Sequence, residues 1–282
     1  MKKILLPILV ACLFSFAFAQ DNKDSKNLPK LTADQIIAKH LASVGDAAAI
    51  SAVKSRILVG VGEFTARAQG GKVGGPAQLA SDGNKFLLAL IFNANNYPYE
   101  KIGYDGKDLT TSILPSGAFS PLSNFLKSNK FVLRYGLFGG VLSENWPLFR
   151  TDKDLKFEAA GVSKLGDRSV YKLKVSGSGT GDAVISLFFD AENFHHVRTE
   201  YFYRVSQVTS PNPNSPTIGG TAPSDYTLTE DFSNFTKVES LVLPLTYVVE
   251  YTSSAGRPFT WTANFTQAYN NQPLEASSFK VS

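Results

Sequence analysis

The segment Phe259-Thr260-Trp261-Thr262-Ala263-Asn264-Phe265-Thr266 alternates apolar and polar side chains without a break. Because neighbouring side chains of a β-strand point to opposite faces of the sheet, this strand puts three aromatic rings on one face and polar groups on the other. Upstream, Tyr247, Val249 and Tyr251 repeat the pattern, and the short link 253–256 predicts a hairpin between the two strands. One face of the sheet is therefore predicted to be dry.

Alternating patterns predict strands through most of the chain. The predicted strands are 55–67, 85–92, 100–104, 107–112, 155–161, 169–176, 183–190, 196–208, 226–236, 243–252 and 259–269. The glycine-rich stretch 69–76 predicts a hairpin loop, and 210–224, rich in Pro, Gly, Asn and Ser, predicts a long surface loop.

Two regions have helical patterns. Thr32 lies three residues before Gln35, a capping-box spacing, and Gly45 ends the pattern. Ser120 followed by Pro121 begins a second helical region that extends to about residue 141. The apolar face of the first helix is formed by Ile36, Ile37, His40, Leu41 and Val44. An aromatic sheet face must be covered by curling, by a helix or by a ligand, so we expect these helices to lie over it.

The first nineteen residues are typical of a secretory signal peptide. Lys2 and Lys3 precede the apolar run 4–18, and Ala17-Phe18-Ala19 has the small-x-small pattern of a cleavage site. We therefore expect a periplasmic or secreted bacterial protein that begins near Gln20.

The remaining chain is divided into a polar leader over 20–30, expected to be disordered, and a single domain over 31–282. A second interpretation of the N-terminus is a lipobox, Leu9-Val10-Ala11-Cys12, which would anchor the protein to the outer membrane through an acylated Cys12.

Composition excludes several classes of function. Cys12 is the only cysteine and lies within the signal peptide, so the mature chain has no intrachain disulfide and no thiolate chemistry. Without Lys2 and Lys3 the charge balance is 26 Lys and Arg against 24 Asp and Glu, and no dense basic block indicates nucleic acid. After the signal peptide, no apolar stretch approaches the roughly 20 residues of a membrane helix.

The order of these features resembles a known family, the LolA/LolB-like superfamily of outer-membrane lipoprotein carriers. The resemblance lies in the signal peptide, the first helix and the meander with apolar helical insertions. Three segments add to it: the central hairpin formed by 171–175, 187–192 and 197–198, the tail 271–279, and a motif of spaced residues. The motif consists of Asp231, Phe232, Phe235, Val238, Leu241, Leu243 and Pro244.

The resemblance implies a mainly β (α+β) fold, in which a long antiparallel meander curls into a half-open barrel. Its concave face would be covered by the N-terminal and mid-chain helices and would hold acyl chains. No arginine here stands in a motif that matches the arginine that holds the lid in the lipoprotein carriers. The resemblance therefore implies lipid binding more directly than lipoprotein transport.

No set of residues predicts catalysis, a cofactor or a metal site. His195 and His196 would point to opposite faces of a strand, and His40 lies far away in the first helix. Ser178 between Gly177 and Gly179 has no nucleophile-elbow spacing, and Glu230 and Asp231 would face apart. We therefore expect a protein that is not an enzyme.

The resulting hypothesis is a carrier or chaperone for the acyl chains of a lipid or lipoprotein. Alternation predicts the cavity lining as Phe125, Leu126, Tyr247, Phe259, Trp261 and Phe265. We expect a monomer with transient membrane contact and no nucleic-acid partner. The alternative is a structural or sensory envelope module with a filled core, whose loop 210–224 contacts a protein partner. The two differ in whether the space between lid and sheet can hold a ligand.

Overall fold

The computed structural model describes residues 28–66, 71–150, 154–205, 224–254, 256 and 258–281. The helices are α1 (Ala33–Val44), α2 (Ala47–Ala52), α3 (Pro121–Ser128) and α4 (Phe131–Arg134). The strands are β1 (Ser55–Ala66), β2 (Gly71–Asp82), β3 (Lys85–Ile91), β4 (Tyr99–Tyr104), β5 (Leu109–Thr111), β6 (Leu155–Leu165), β7 (Arg168–Gly177), β8 (Val184–Asp190), β9 (His196–Val205), β10 (Ser224–Val238), β11 (Leu241–Ser253) and β12 (Phe259–Asn270).

All twelve strands form one sheet in the order β5-β4-β3-β2-β1-β12-β11-β10-β9-β8-β7-β6, and every neighbouring pair is antiparallel. The sheet does not close, because β5 and β6 end the order on opposite sides. Strands that are neighbours in sequence pair, except for β5 and β6, and β12 returns to lie beside β1. The predicted fold class, a mainly β meander curled into a half-barrel, is confirmed.

The alternation on β12 is confirmed over its first half. Trp261, Ala263 and Phe265 are buried, whereas Asn264 and Thr266 are exposed. Beyond Phe265 a bulge changes the phase, since Gly60 pairs with Phe265 but Val59 pairs with Gln267. An extra residue in one strand turns the following side chains to the other face. Asn270 is therefore buried.

The prediction of a loop over 69–76 is wrong for its described part, since Gly71 to Pro76 belong to β2. The glycines of this stretch are typical of a turn, but in the structure they allow neighbouring strands to approach each other closely. A Cβ on Gly75 would lie only 2.3 Å from the carbonyl oxygen of Ile91 on β3. Glycine in a strand interior can mark such a close approach.

The helices lie where the sequence predicts them. The capping box at Thr32 and Gln35 is formed, and Ile36, His40 and Val44 on α1 are buried. Ser120 caps α3 through its hydroxyl, which accepts a hydrogen bond from the Ser123 backbone N–H at 2.9 Å. The predicted helical region beyond α3 consists of the short α4 and the 3-10 turn Gly140–Leu142, and a second 3-10 turn, Pro147–Phe149, lies beyond the predicted region. We call residues 120–149 the lid segment.

Several sequence predictions fall outside the described residues. These are the signal peptide and Cys12, residues 20–27 of the leader, and most of the predicted loop 210–224. The described part of the leader contacts the sheet, because the Tyr171 hydroxyl donates to the Pro29 carbonyl at 3.1 Å. Within the described residues, the helices are all too short or too polar to span a bilayer.

The bulge on β12 predicts an effect of substituting Gly60. An added Cβ would lie 2.0 Å from the Asn264 carbonyl oxygen and 2.6 Å from the Phe265 Cα atom, both backbone atoms that cannot rotate away. We expect Gly60→Ala to lower the free energy of unfolding by about 3 kcal/mol, the upper range for overpacking.

Gly62→Ala is the matched control on the same strand. Its added Cβ would lie 3.0 Å from Leu90 Cδ2, which can rotate away, and 3.3 Å from Ala77 Cβ, a contact that a small shift relieves. Urea denaturation of both variants measures the effect. Equal stability of the two would contradict the account of the bulge.

Candidate functional site

The concave face of the sheet and the lid segment together bury most of the aromatic residues. Phe138, Trp146, Phe232, Tyr247 and Trp261 each have at most 1% of their surface exposed. Buried side chains of the lid segment, among them Leu122, Phe125 and Phe138, belong to the same hydrophobic cluster as those of the sheet.

The structure brings the six predicted lining residues into one hydrophobic cluster. Those that are fully buried are Phe125, Leu126, Tyr247, Trp261 and Phe265, and Phe259 is partly exposed. Phe125 and Leu126 belong to the lid, and the other four belong to β11 and β12. As ligand contacts they stay a prediction.

An aromatic row crosses the concave face at the end where β12 begins. Phe64 on β1 stacks on Tyr97 with ring centroids 4.1 Å apart and lies 5.6 Å from Trp261. Phe259 pairs across the strands with Tyr251. The row continues on β10 and β9 through Tyr226 and Tyr203, whose rings stack 4.9 Å apart. Phe125 of the lid contacts both of these tyrosines edge-on.

Three charged side chains buried in the sheet hold the lid segment. The first is Glu100 on β4, which accepts hydrogen bonds from the Ser123 hydroxyl at 2.8 Å and from the Tyr97 hydroxyl. Tyr97 in turn accepts from Trp261 Nε1 at 2.8 Å. Burial raises the pKa of Glu100. The start of α3 is thereby tied to the aromatic row.

The second anchor is Glu230 on β10. Its Oε1 accepts from the Gly139 backbone N–H at 2.6 Å and from the Tyr247 hydroxyl at 2.5 Å, and its Oε2 accepts from the Tyr201 hydroxyl at 2.7 Å. Burial raises the pKa of Glu230 to about 7, against the opposing effect of these three donors.

The third anchor is Arg56 on β1, which is fully buried. Its Nη1 donates to the carbonyl oxygens of Val141 at 2.9 Å and Leu142 at 3.5 Å, and its Nη2 lies 3.0 Å from Glu144 Oε1. Nε donates to Asn270 at 3.2 Å. Burial lowers the pKa of Arg56 and raises that of Glu144. The sequence analysis found no arginine for the lid, whereas the structure places Arg56 against it.

The expectation that His40 lies far from the histidine pair is wrong. Its ring centroid is 6.1 Å from that of His196, and Trp146 stacks on His196 at 4.8 Å. His40 Nδ1 lies 3.1 Å from the Phe194 carbonyl oxygen, and Trp146 Nε1 donates to His40 Nε2 at 3.4 Å. These partners require a neutral imidazole, and burial lowers the pKa of His40 to about 4.

The paired side chains diverge as predicted. His196 is buried on the concave side, whereas His195 stacks on Phe235, with ring centroids 4.2 Å apart. Glu230 is likewise buried, while Asp231 pairs outward with Arg198. In the described parts of the chain, no three His, Cys, Asp or Glu residues are grouped as metal ligands.

A cavity of about 660 Å³ lies outside the lid–sheet space. It is bounded by α1, α2, the turn after β2, and the end of the lid segment at Phe149. Its volume is within the range of small-molecule sites, roughly 300–1,000 Å³. The sequence analysis did not predict it.

The fold is similar to that of several solved structures. A LolA superfamily protein from Nitrosomonas europaea is 14% identical, with a TM-score of 0.48 over 89% of this chain and 99% of that one. The chain is similar to LolA superfamily proteins. A DUF1329 family protein from Desulfovibrio piger is 11% identical, with a TM-score of 0.48 over 88% of this chain and 97% of that one.

A domain from Vibrio parahaemolyticus, described as an outer membrane lipoprotein-sorting protein, is 11% identical, with a TM-score of 0.44 over 91% of this chain and 97% of that one. No protein-family model and no curated protein matches the chain. At these identities and TM-scores, the solved structures assign no function to the chain.

The buried carboxylate of Glu230 predicts a pH-dependent contribution to stability. Its pKa in the folded state, about 7, lies above the ordinary 4.5, so the folded state binds the proton more tightly than the unfolded state. The proton therefore stabilises the folded state below pH 4.5, and this stabilisation is lost as the pH rises from about 4.5 to 7. His40 and His196 act in the opposite direction below their ordinary pKa of 6.5. Subtracting the unfolding free energy of the Glu230→Gln variant from that of the wild type removes the histidine contributions, because both proteins contain the same histidines.

We expect the difference in unfolding free energy, wild type minus Glu230→Gln, to fall by about 3 kcal/mol between pH 5 and pH 8, at 1.36 kcal/mol per pKa unit. Urea denaturation at both pH values measures it. Asp231→Asn is the control for removing a carboxylate from the other face of the same strand. A difference that does not change with pH would contradict the burial of an ionisable Glu230.

Proposed function

We propose that the protein binds the acyl chain of a lipid or lipoprotein between the lid segment and the aromatic face of the sheet, as a carrier or chaperone in the bacterial envelope. The observation that carries this proposal is a lid fixed to an aromatic sheet by buried charged side chains. The sequence resemblance to lipoprotein carriers is in agreement with it, and the predicted signal peptide suggests the compartment.

The anchors favour a lid that can be displaced. Removing Glu100, Glu230 and Arg56 from water is costly, and well-packed apolar residues of the same size often stabilise a protein as much or more. When the lid lifts, these three groups regain hydration, which offsets part of the lost packing. A lid held only by apolar contacts would lack this compensation.

An acyl chain can replace the packing that the lid gives up. Burial of a methylene contributes about 0.8 kcal/mol, and burial of a large apolar side chain about 1.5–3 kcal/mol. A chain of about fifteen methylenes therefore offsets the exposure of roughly four to eight lid side chains. The buried lid residues that would be exchanged include Leu122, Phe125, Leu126, Phe138 and Leu142.

The aromatic row gives the chain an entry point. Tyr226, Tyr251 and Phe259 are partly exposed at the end of the concave face, next to Phe125 of the lid. An acyl chain that enters here would first contact Phe259 and Trp261 and then move toward Phe265 and Tyr247. All the sheet residues predicted as lining lie along this path.

Binding can be measured through the two tryptophans, Trp146 of the lid segment and Trp261 of the sheet, which are both buried. Palmitate brominated in mid-chain quenches tryptophan fluorescence on contact. We expect saturable quenching of the mature wild type. Phe259 is partly exposed, so we expect the Phe259→Glu variant to fold. This substitution should weaken palmitate binding by at least about tenfold, because a charge that faces the acyl chain costs more than about 1.4 kcal/mol.

Thr266→Glu adds the same charge at an exposed position of the same strand and should leave the affinity unchanged. Circular dichroism verifies that both variants are folded. If the folded wild type gives no saturable quenching, the acyl-binding proposal is wrong, and the filled-core module becomes the better description.

A further inference from the structure

The 660 Å³ cavity is a groove formed by a second apolar face of α1. Ala38, Leu41, Ala42 and Gly45 follow the spacing i, i+3, i+4, i+7 of one helical face and line the groove. A different face of α1, with Ile36, His40 and Val44, packs against the sheet. On this second face Leu41 is partly buried against the core, whereas Ala38 and Ala42 are exposed, so part of the face remains accessible to a ligand.

The opposite wall of the groove is also apolar. Ile50 contributes from α2, Val53 from the position directly after α2, and Phe149 from the last turn of the lid segment. Small side chains on α1 and larger ones opposite leave a preformed apolar trough on the surface. Unlike the space beneath the lid, this trough is open without any rearrangement.

The charged groups at the groove favour an anionic ligand. Lys54 and Arg150 line it and are exposed. Asp46 is exposed and caps α2, where it accepts a hydrogen bond from the Ala49 backbone N–H at 2.7 Å. The side chain of Glu144 is largely buried and pairs with Arg56, and Lys54 lies within electrostatic reach of it. Lys54 and Arg150 are the exposed cations at the groove that a ligand head group can contact.

We propose that this groove is a second binding site, for one acyl chain with an anionic head group, a carboxylate or a phosphate, that contacts Lys54 and Arg150. The chain would lie along Ala38, Ala42 and Gly45, where short side chains allow close contact. Because this site needs no lid movement, it stands apart from the proposed lid site, and the two proposals can fail separately.

Filling the groove tests the site directly. Ala42→Trp and Ala38→Trp place a large ring in the trough at exposed helix positions, so the fold is not expected to change. Ala48→Trp, at an exposed position of α2 that does not line the groove, is the matched control. Native mass spectrometry with palmitate, and separately with lysophosphatidylglycerol, counts the bound chains.

We expect the wild type and Ala48→Trp to bind one chain more than Ala42→Trp and Ala38→Trp. Preference for palmitate or for lysophosphatidylglycerol identifies the head group as carboxylate or phosphate. If Ala42→Trp and Ala38→Trp bind as many chains as Ala48→Trp with either lipid, the groove is not a binding site.

Charge reversal tests the role of the head group. Lys54→Glu combined with Arg150→Glu should weaken palmitate binding by about tenfold, if each lost pair contributes somewhat less than 1 kcal/mol. Binding of uncharged monopalmitoylglycerol should not change. Lys39→Glu is the control, because Lys39 lies on α1 but over the Phe194 ring, outside the groove. Equal effects on the charged and the uncharged lipid would overturn the assignment of Lys54 and Arg150.

The lid variant separates the two proposals. Phe259→Glu should remove the chain beneath the lid and leave the groove-bound chain in place. If Phe259→Glu removes all bound chains while Ala42→Trp removes none, only the lid site exists. If Ala42→Trp abolishes binding and Phe259→Glu has no effect, the groove is correct and the lid proposal fails.

Discussion

Twelve antiparallel strands present one face made largely of aromatic and aliphatic side chains, and no second sheet covers it among the described residues. An apolar face of this size must be removed from water by some other element. Here α1 and the lid segment fulfil this requirement. The short helices and turns of the lid exist as ordered structure because the sheet supplies both apolar contacts and hydrogen-bond partners.

The hydrogen-bond partners are what distinguish this lid from an ordinary core. The short lid helices leave backbone groups without partners within the helix, such as the Gly139 N–H and the Val141 carbonyl, and buried groups of this kind must be satisfied. Glu230 and Arg56 satisfy them from the sheet. Because burying these two side chains costs solvation free energy, they stabilise the closed lid less than apolar residues of the same size would. The same contacts therefore order the lid segment and limit the stability of its closed position.

The sequence allows prediction of the strands, of both helical regions and of which face of β12 is buried, because alternation and capping are local signals. It does not predict the bulge at Gly60 or the strand formed by Gly71 to Pro76, since there the glycines serve contacts with distant strands. The same limit explains why His40 was placed far from His196: helix docking is not encoded in the spacing of residues along the chain. The sequence does contain a signal for the buried anchors Glu230 and Arg56. Glu230 lies two residues after Leu228 and Arg56 two residues before Leu58, so each occupies the inward face of its strand, where a charged residue is unexpected.

The central claim is that the lid opens to admit an acyl chain, and hydrogen exchange of the backbone amides measured with and without saturating palmitate tests it most directly. The account predicts faster exchange at Gly139 and across residues 120–149 in the presence of palmitate, with unchanged protection in β1, β11 and β12. Unchanged protection of the lid segment while palmitate quenches the fluorescence of Trp146 and Trp261 would contradict it.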